Sequence, residues 1–428
     1  MARGRQRYWH GRDKRAIVRR RWDSRHMTQA IDAIAPARRS HLRIVGAVST
    51  AHFVSHYYIL LLAPLMPFVR EEYGVSYTQI ALAFAAFNVI TALLQTPAGF
   101  LVDWLGARTL LIAGLLIGAA AFAVVGLVHS FWLLVVMFGL AGIGNTVYHP
   151  ADYTLLSQHV PSERIGQAFS VHTFAGMLGS AVTPAATLLM QSVWGWRGAM
   201  LGSAVLGLAA AVILMLMTEL ETARPVPHKS DAETRTDWQV LLSAPILLNL
   251  VFFVLLAMIS SGLYNYSVVA FGALYGTPVE TANAALTGNL LLTAIGVLAG
   301  GLLVGRTRRH GLVASIGLAV AAAFTILFAE VDLGNVALIA AMSAAGFASG
   351  AVMPSRDMIV RAVTPAGSFG KVFGFVTSGF NIGGIVAPLV FGAIMDHGSP
   401  RLVFLTVAGL LVAAVVTVAT RPGRPAAE

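Results

Sequence analysis

The stretch that decides the fold is residues 138–184, FGLAGIGNTVYHPADYTLLSQHVPSERIGQAFSVHTFAGMLGSAVTP. It holds two apolar segments on either side of a short polar turn, and the segments carry ionisable side chains. The pattern returns 204 residues later, in the pairs Pro150 and Pro354, Pro161 and Pro365, Gly166 and Gly370, Phe169 and Phe373, Gly179 and Gly383, and Pro184 and Pro388. A repeat of this length indicates a two-fold duplication, and matched helix breakers in its two halves indicate the working helices of a transporter.

One correspondence in this register differs in kind, because Asp152 falls on Arg356. The duplication therefore places opposite charges at equivalent positions. An ionised side chain at bilayer depth costs a few kcal/mol or more, so both residues, and the neighbouring Asp357, are candidates for function.

Composition identifies the class of protein. Hydrophobic residues make up 57% of the 428 residues and charged residues 11%, which is too little polar surface to solvate a globule of this size. The chain is therefore predicted to be an integral membrane protein whose partner is the lipid bilayer. It has no cysteine, which excludes disulfides and thiolate metal sites. The net charge is +10, and in a membrane protein such an excess of cations indicates which segments lie on the cytosolic side. Nucleic acid is therefore not predicted as a partner.

Twelve apolar runs lie between residues 44 and 420, each close to the roughly 20 residues that cross about 30 Å of hydrocarbon. One long polar segment with Pro225 and Pro227 separates six runs from six. We therefore predict an all-α polytopic membrane protein, with twelve transmembrane helices arranged as two pseudo-symmetric six-helix bundles. The predicted division is a basic cytosolic tail (1–43), an N-terminal bundle (44–220), a cytosolic linker (221–240), a C-terminal bundle (241–420) and a cytosolic tail (421–428).

The N-terminal tail holds 13 Arg and Lys against Asp13, Asp23 and Asp32, with no apolar run of signal-peptide length. This composition predicts a disordered cytosolic segment that contacts anionic lipid. Two alternatives are a mitochondrial presequence and a biological start at Met27.

Charge also predicts the orientation. If both termini are cytosolic, the external connections contain only three cations, Arg70, Arg197 and Arg401, and acids collect there instead. The positive-inside rule favours this topology, and we expect the inner (plasma) membrane of a bacterium.

The turn after the second span, residues 99–108, is GFLVDWLGAR. It resembles the loop signature of the major facilitator superfamily, and its second-half counterpart, residues 301–306, is GLLVGR, with glycine in place of the acid. The resemblance covers all twelve helices. It implies the major facilitator fold and secondary transport by alternating access.

By this resemblance Asp103 and Arg108 are gate residues. Asp103 is expected to contact the start of the eleventh helix near Gly370 and Lys371 when the cytosolic side is closed, where the positive end of a helix favours a carboxylate. The alternative is that Asp103 is a solvated loop acid.

Within the superfamily the chain resembles the fosmidomycin-resistance drug efflux branch. The shared elements are Ser55-His56, Gln79-Ile80, residues 94–97 (LQTP), residues 142–145 (GIGN) followed by residues 148–150 (YHP), and Gly179-Ser180 before Pro184. Two departures are Ala151, which displaces the expected acid by one residue to Asp152, and Thr183, which stands where a Gly-Pro step is expected. Drug efflux is therefore favoured, with fosmidomycin a weaker expectation as substrate.

Proton coupling needs a group that titrates near neutrality. A histidine does so at about 6.5, and burial raises a carboxyl pKa by up to about 3–5 units. His149 and Asp152 lie three apart on one helix face and are the predicted proton carriers. His172 is a third member of this group or, equally, a structural histidine, and it is also predicted to lie in the substrate cavity.

Arg356 has three possible roles from sequence. It forms an ion pair with Asp152 across the two halves when the inner side is closed, or it holds an anionic substrate. The third alternative is a local pair of Asp357 with Arg361, at helical i, i+4 spacing.

Two aromatic and polar groups are predicted to contact substrate, because the first, fourth, seventh and tenth helices line the cavity in the resembled superfamily. They are His52, His56 and Tyr57 in the first helix and Tyr264, Asn265 and Tyr266 in the seventh. His52 and His56 have the spacing of a metal pair, but no carboxylate lies near them in sequence, so no metal is predicted.

These features predict a monomeric secondary active transporter that exports a small organic compound or drug in exchange for protons. No cofactor and no enzymatic activity are expected, since the chain has no nucleotide motif or metal cluster. The alternatives are uptake of a small organic anion by proton symport and, less favoured, a non-transporting membrane assembly component.

Overall fold

The computed structural model describes residues 24–161, 164–217, 238–304, 306–364 and 369–419. All regular structure in these ranges is helical, which confirms the predicted fold class. Residues 1–23, most of the predicted linker and the predicted tail 421–428 lie outside the described residues. The first helix already begins at Ser24, before the predicted start of the first bundle at residue 44.

The helices of the described ranges follow one another along the chain. They are α1 (Ser24–Leu60), α2 (Met66–Tyr73), α3 (Tyr77–Leu105), α4 (Ala107–Leu127), α5 (Phe131–Asn145), α6 (Tyr148–His159), α7 (Ile165–Leu216), α8 (Trp238–Leu241), α9 (Ala244–Ser261), α10 (Ser267–Tyr275), α11 (Val279–Val304), α12 (His310–Glu330), α13 (Gly334–Val363), α14 (Phe369–Asp396) and α15 (Pro400–Ala419).

Eleven helical segments of the described chain are long and apolar enough to cross a membrane. One of them, α7, has 52 residues, which at about 1.5 Å per residue is far longer than a bilayer is thick. Gly195 interrupts it with φ 72° and ψ 169°, a conformation open essentially to glycine alone. Because α7 is two spans joined at Gly195, the eleven segments correspond to the twelve predicted spans.

Three of the four spans predicted to line the cavity, the first, fourth and seventh, have irregular backbones, and the tenth is a continuous helix that contains a proline. A 3-10 turn, Ala63–Leu65, divides the first span into α1 and α2, and the fourth span is divided into α5 and α6. A π-helical turn, Gly262–Tyr266, joins α9 to α10 in the seventh, and Pro354 lies inside α13, the tenth. Such interruptions are tolerated in a membrane where the protein itself satisfies the freed backbone groups.

The two halves of the chain meet where α3 begins and α14 ends. Ser76 and Gln79 form a capping box, in which the Gln79 N–H donates to the Ser76 hydroxyl at 3.1 Å and the Ser76 N–H to the Gln79 side chain at 2.8 Å. The N–H groups of Tyr77 and Thr78 donate instead to the carboxylate of Asp396, at 2.7 and 2.8 Å. Asp396 thus completes the helix cap of α3 from the other half, and we call these three residues the Asp396 clasp.

At the end of the molecule away from the clasp, the two halves are separated by a cavity. Consecutive spans alternate in direction, so the start of α7 and the end of α11 lie away from the clasp. A cavity of about 350 Å³ opens there, lined by Phe169 and Thr173 of α7, Val297 and Gly301 of α11, and Pro354 of α13. The halves are therefore joined at the clasp end and leave a cavity between them at the other.

We expect Asp396→Ala to loosen the clasp end. The change removes an anion from a helix N-terminus, worth about 0.3–1 kcal/mol at an exposed position, and should raise the population open at that end several-fold. The chain has no cysteine, so spin labels on cysteines placed at His129 and Asn335 would report the distance between the halves by pulsed electron resonance.

The matched control is Glu330→Ala, which removes an exposed acid at the same end whose partner, Arg401 at 3.1 Å, belongs to its own half. It should leave the distance distribution unchanged. An Asp396→Ala distribution identical to that of the parent protein would show that the clasp does not hold the halves together.

Candidate functional site

Three helices of the N-terminal half bring a carboxylate and two imidazoles together. Oδ2 of Asp152, on α6, lies 3.3 Å from Nδ1 of His52 on α1 and 3.7 Å from Nε2 of His172 on α7. The two imidazole rings are stacked, with centroids 3.8 Å apart. We call Asp152, His52 and His172 the buried triad.

The triad is closed off from its surroundings. Asp152 and His172 are fully buried and His52 is 4% exposed. Neither Asp152 oxygen makes a hydrogen bond of good geometry with the described residues, nor does Nδ1 of His52 or either ring nitrogen of His172. The contacts are therefore those of an ion pair, and their strength depends on whether an imidazole is protonated.

Two further histidines extend the triad. The ring centroid of His56 lies 4.7 Å from that of His52, and its Nδ1 is 3.3 Å from the hydroxyl of Ser180. The ring of His149 lies 5.3 Å from His52, and His149 is exposed. The chain of rings thus runs from an exposed histidine to a fully buried carboxylate.

A glycine makes this approach of helices possible. A Cβ added at Gly176 of α7 would lie 2.6 Å from the His52 ring and 2.9 Å from the His56 ring. Any side chain here would push α7 away from α1, and with it His172 from His52.

Charge decides what the triad can hold. A buried charge is costly unless it is paired, so an ionised Asp152 calls for one imidazolium beside it. One carboxylate and one imidazolium are together neutral, and so are a protonated carboxyl and neutral imidazoles. The triad and the neighbouring rings can therefore exchange one proton between them without burying net charge.

The same ligand atoms lie within 4.8 Å of one another, which is the spacing of a three-ligand metal site. A divalent cation with one carboxylate and neutral imidazoles would leave a net positive charge fully buried. Charge balance thus favours a proton at this position. Asp152 also supplies the carboxylate that sequence spacing did not place near His52 and His56.

Arg356 lies in the C-terminal half, on α13. Its Nε donates to Oδ1 of Asp357 at 2.9 Å, and its guanidinium stands 4.9 Å from the ring centroid of Phe253 and 5.7 Å from that of Phe380. The structure does not bring Arg356 to Asp152, and the recorded partner of Asp357 is Arg356 rather than Arg361. The pairing of Asp152 with Arg356 in another conformation stays a prediction.

The aromatic groups expected in the cavity have different surroundings. Tyr264 and Arg356 line one small cavity, and Asn265 donates to the Ser261 hydroxyl at 3.2 Å. Tyr57 and Tyr266 are buried in their own halves instead: Tyr57 accepts from the Ser203 hydroxyl at 3.4 Å, and Tyr266 donates to the Pro388 carbonyl at 2.6 Å. Both tyrosines thus make packing contacts within their own halves, and their contact with substrate stays a prediction.

The two predicted gate residues can be placed only in part. Arg108 donates to the carbonyls of Leu214 and Met215, at 3.2 and 2.8 Å, and so caps the end of α7. Asp103 belongs to α3, but its side chain, that of Lys371 and the surroundings of Gly370 lie outside the described part of the chain.

The profile of the Major Facilitator Superfamily matches residues 48–280 and 250–428. The chain belongs to the Major Facilitator Superfamily. It is therefore an integral membrane transporter and not an enzyme, as expected. The major facilitator fold is also that of solved transporters with little sequence similarity: nucleoside transporter NupG (D323A mutant) has a TM-score of 0.72 at 16% identity, covering 88% of this chain and 99% of that one.

Similar superfamily members differ in their substrates. The fosmidomycin resistance protein of Escherichia coli (strain K12) is 25% identical over 391 residues, 89% of this chain and 93% of that protein. The hexuronate transporter of Bacillus subtilis (strain 168) is 24% identical, over 84% and 90%. The probable sulfoacetate transporter of Cupriavidus necator is 31% identical over a shorter stretch, 38% of this chain and 39% of that protein.

Sequence reasoning missed His52 as the partner of Asp152, and it missed Gly176 and Asp396. His52 was assigned to the cavity because its neighbours in sequence hold no acid. The small residue at position 176, facing a histidine-bearing first helix, was the available signal for close packing.

We expect Gly176→Ala to disturb the triad. Overpacking costs about 1–3 kcal/mol and should lower the melting temperature of the purified transporter and abolish its transport. Gly409→Ala is the matched control, because a Cβ there meets nothing within 4 Å. Equal melting temperatures and equal transport for the two variants would contradict the packing account.

Proposed function

We propose that the chain is a proton-coupled exporter of a small organic compound that works by alternating access. The observation that carries the proposal is the fully buried Asp152 carboxylate with His52 and His172 against it. Costly buried charge in a membrane helix marks a proton or substrate pathway by default.

The proton reaches Asp152 through the imidazoles. His149 is exposed and its ring lies near His52, which contacts the carboxylate. The other ionisable groups that face the triad are His56 on α1 and Tyr148 and Tyr153 on α6. Histidine is the side chain whose ordinary pKa suits transfer near neutral pH.

Alternating access supplies the coupling. The clasp end is closed here and a cavity lies between the halves at the other end. We propose that both termini are cytosolic in a bacterial inner membrane, so that the cavity faces the cytosol and the Asp396 clasp faces outward. Asp103, at the end of α3, is then the proposed counterpart that holds the start of α14 when the cytosolic side closes.

Export is favoured by similarity to the fosmidomycin resistance protein, which extends over most of both chains. The second candidate is proton-coupled uptake of a small organic anion. The hexuronate and sulfoacetate transporters are named for anions, and Arg356 is a cation inside the C-terminal half that suits such a substrate. Both candidates use the same buried triad and differ in the direction of proton flow.

Liposomes that contain the purified transporter and an internal pH dye test both candidates. Fosmidomycin, sulfoacetate, a hexuronate and a panel of drugs are added outside in turn. Antiport predicts that entry of a compound raises the internal pH, because protons leave, whereas symport predicts that it lowers the internal pH. The sign does not depend on how the protein is oriented in the vesicle.

Asp152→Asn should abolish compound-dependent proton movement, since its amide cannot exchange the proton. Glu280→Gln, which neutralises an exposed acid on α11, should retain it. Proton movement that survives in Asp152→Asn would refute the assignment of the buried triad, and compound entry with no proton movement in the parent protein would refute proton coupling.

A further inference from the structure

The guanidinium of Arg356 is held in a fixed orientation inside the C-terminal half. Phe253 of α9 and Phe380 of α14 place their rings 4.9 and 5.7 Å from it, within the range of cation–π attraction. Asp357 accepts only from Nε, at 2.9 Å. Three helices and one carboxylate thus position a single cation.

The terminal nitrogens of this guanidinium donate no hydrogen bond to the described residues. The hydrogen bond from Nε is the one recorded for the Arg356 side chain in the described part of the chain, so Nη1 and Nη2 have no acceptor there. The side chain is nevertheless 14% exposed, while that of Asp357 is 46% exposed. A partly buried cation whose two terminal nitrogens have no acceptor among the described residues, and whose own counter-ion is half-exposed, is poised to bind a second anion.

A cavity adjoins Arg356. It has a volume of about 70 Å³ and is lined by Arg356, Phe380, Tyr264, Ser260 and Ser349. A water-sized group needs about 10–15 Å³ on this measure, so the space holds an acidic group of a few heavy atoms but not a drug-sized molecule. Hydroxyls of serine and tyrosine would donate to the same oxygens.

We propose that Arg356, clamped by Phe253 and Phe380, is the binding site for the oxyanion head of the transported compound: a carboxylate, sulfonate or phosphonate. The planar fork of a guanidinium binds two such oxygens at once, which a lysine cannot do. The inference rests on the proposed transport function and narrows its substrate class to small organic acids.

The position of the site in the duplicated chain gives it a function in coupling. Arg356 is the equivalent of Asp152 at the offset of 204 residues. One half thus holds the proton and the other the anion. A bound anion compensates the charge of Arg356 inside the protein, as a proton compensates that of Asp152.

Ligand binding to the purified transporter in detergent tests the site without any transport step. Thermal stabilisation is measured with acetate, methanesulfonate, methylphosphonate and gluconate at millimolar concentrations. Acetamide and sorbitol are the neutral counterparts of acetate and gluconate. We expect stabilisation by one or more of the anions and none by the neutral compounds.

Arg356→Gln should weaken that binding about tenfold or more, because it removes a charge-assisted bidentate contact. Arg356→Lys keeps the charge and the fold but loses the fork, so an intermediate loss is expected. Arg361→Gln, an exposed arginine on the same helix, is the matched control and should bind as the parent does.

The site is refuted if none of the four anions binds. It is also refuted if Arg356→Lys and Arg356→Gln bind the anions as tightly as the parent protein does. Failure of the two proposals can be told apart. Proton-coupled transport of neutral compounds with no anion binding would remove the anion site and leave the proposed function. Anion binding through Arg356 without compound-dependent proton movement would leave the anion site and remove proton coupling.

Discussion

A carboxylate with no exposure to solvent in the middle of a membrane protein cannot carry its charge alone. Asp152 meets this constraint with His52 and His172, and the helices that deliver them are arranged accordingly: α7 approaches α1 closely at Gly176, and α6 begins at Tyr148 after a break in the fourth span. With an ionised carboxylate and neutral imidazoles the triad carries one negative charge, and one added proton makes it neutral. The number of bound protons and the packing of the N-terminal half are therefore linked.

The C-terminal half has a charge of the opposite sign to stabilise. Arg356 is a cation in the equivalent position, and it is satisfied in part by Asp357 and by two aromatic rings. The two halves share a fold but differ in the charge at this one register position. The duplicated scaffold thus carries a carboxylate in one half and a guanidinium at the equivalent position in the other, and the Asp396 clasp links the halves at one end.

Most of the fold could be predicted from the sequence, because membrane spans follow from hydropathy and length alone. The twelve spans, the duplication and the charged candidates inside the helices are all local or periodic features. The break at Gly195 shows the limit: glycine is common in the chain, and only the backbone reveals which one ends a span.

The partners of the site residues could not be predicted, because each comes from a distant part of the chain. His52 lies one hundred positions before Asp152, and Asp396 lies more than three hundred after Tyr77. Arg108, predicted as a gate residue from its place in a signature, caps the end of α7, a contact that its place in the sequence did not indicate. The sequence identified the charged residues inside membrane helices as functional candidates, because burying them is costly. Helix packing determines what each of them contacts.

The most direct test of the central claim is infrared difference spectroscopy of the purified transporter as pH is changed through neutrality, with the parent protein and Asp152→Asn compared. The account predicts one titrating carboxyl or imidazolium signal that disappears in Asp152→Asn. A carboxyl spectrum that is the same in both proteins at every pH would mean that Asp152 exchanges no proton, and the coupling assigned to the buried triad would be wrong.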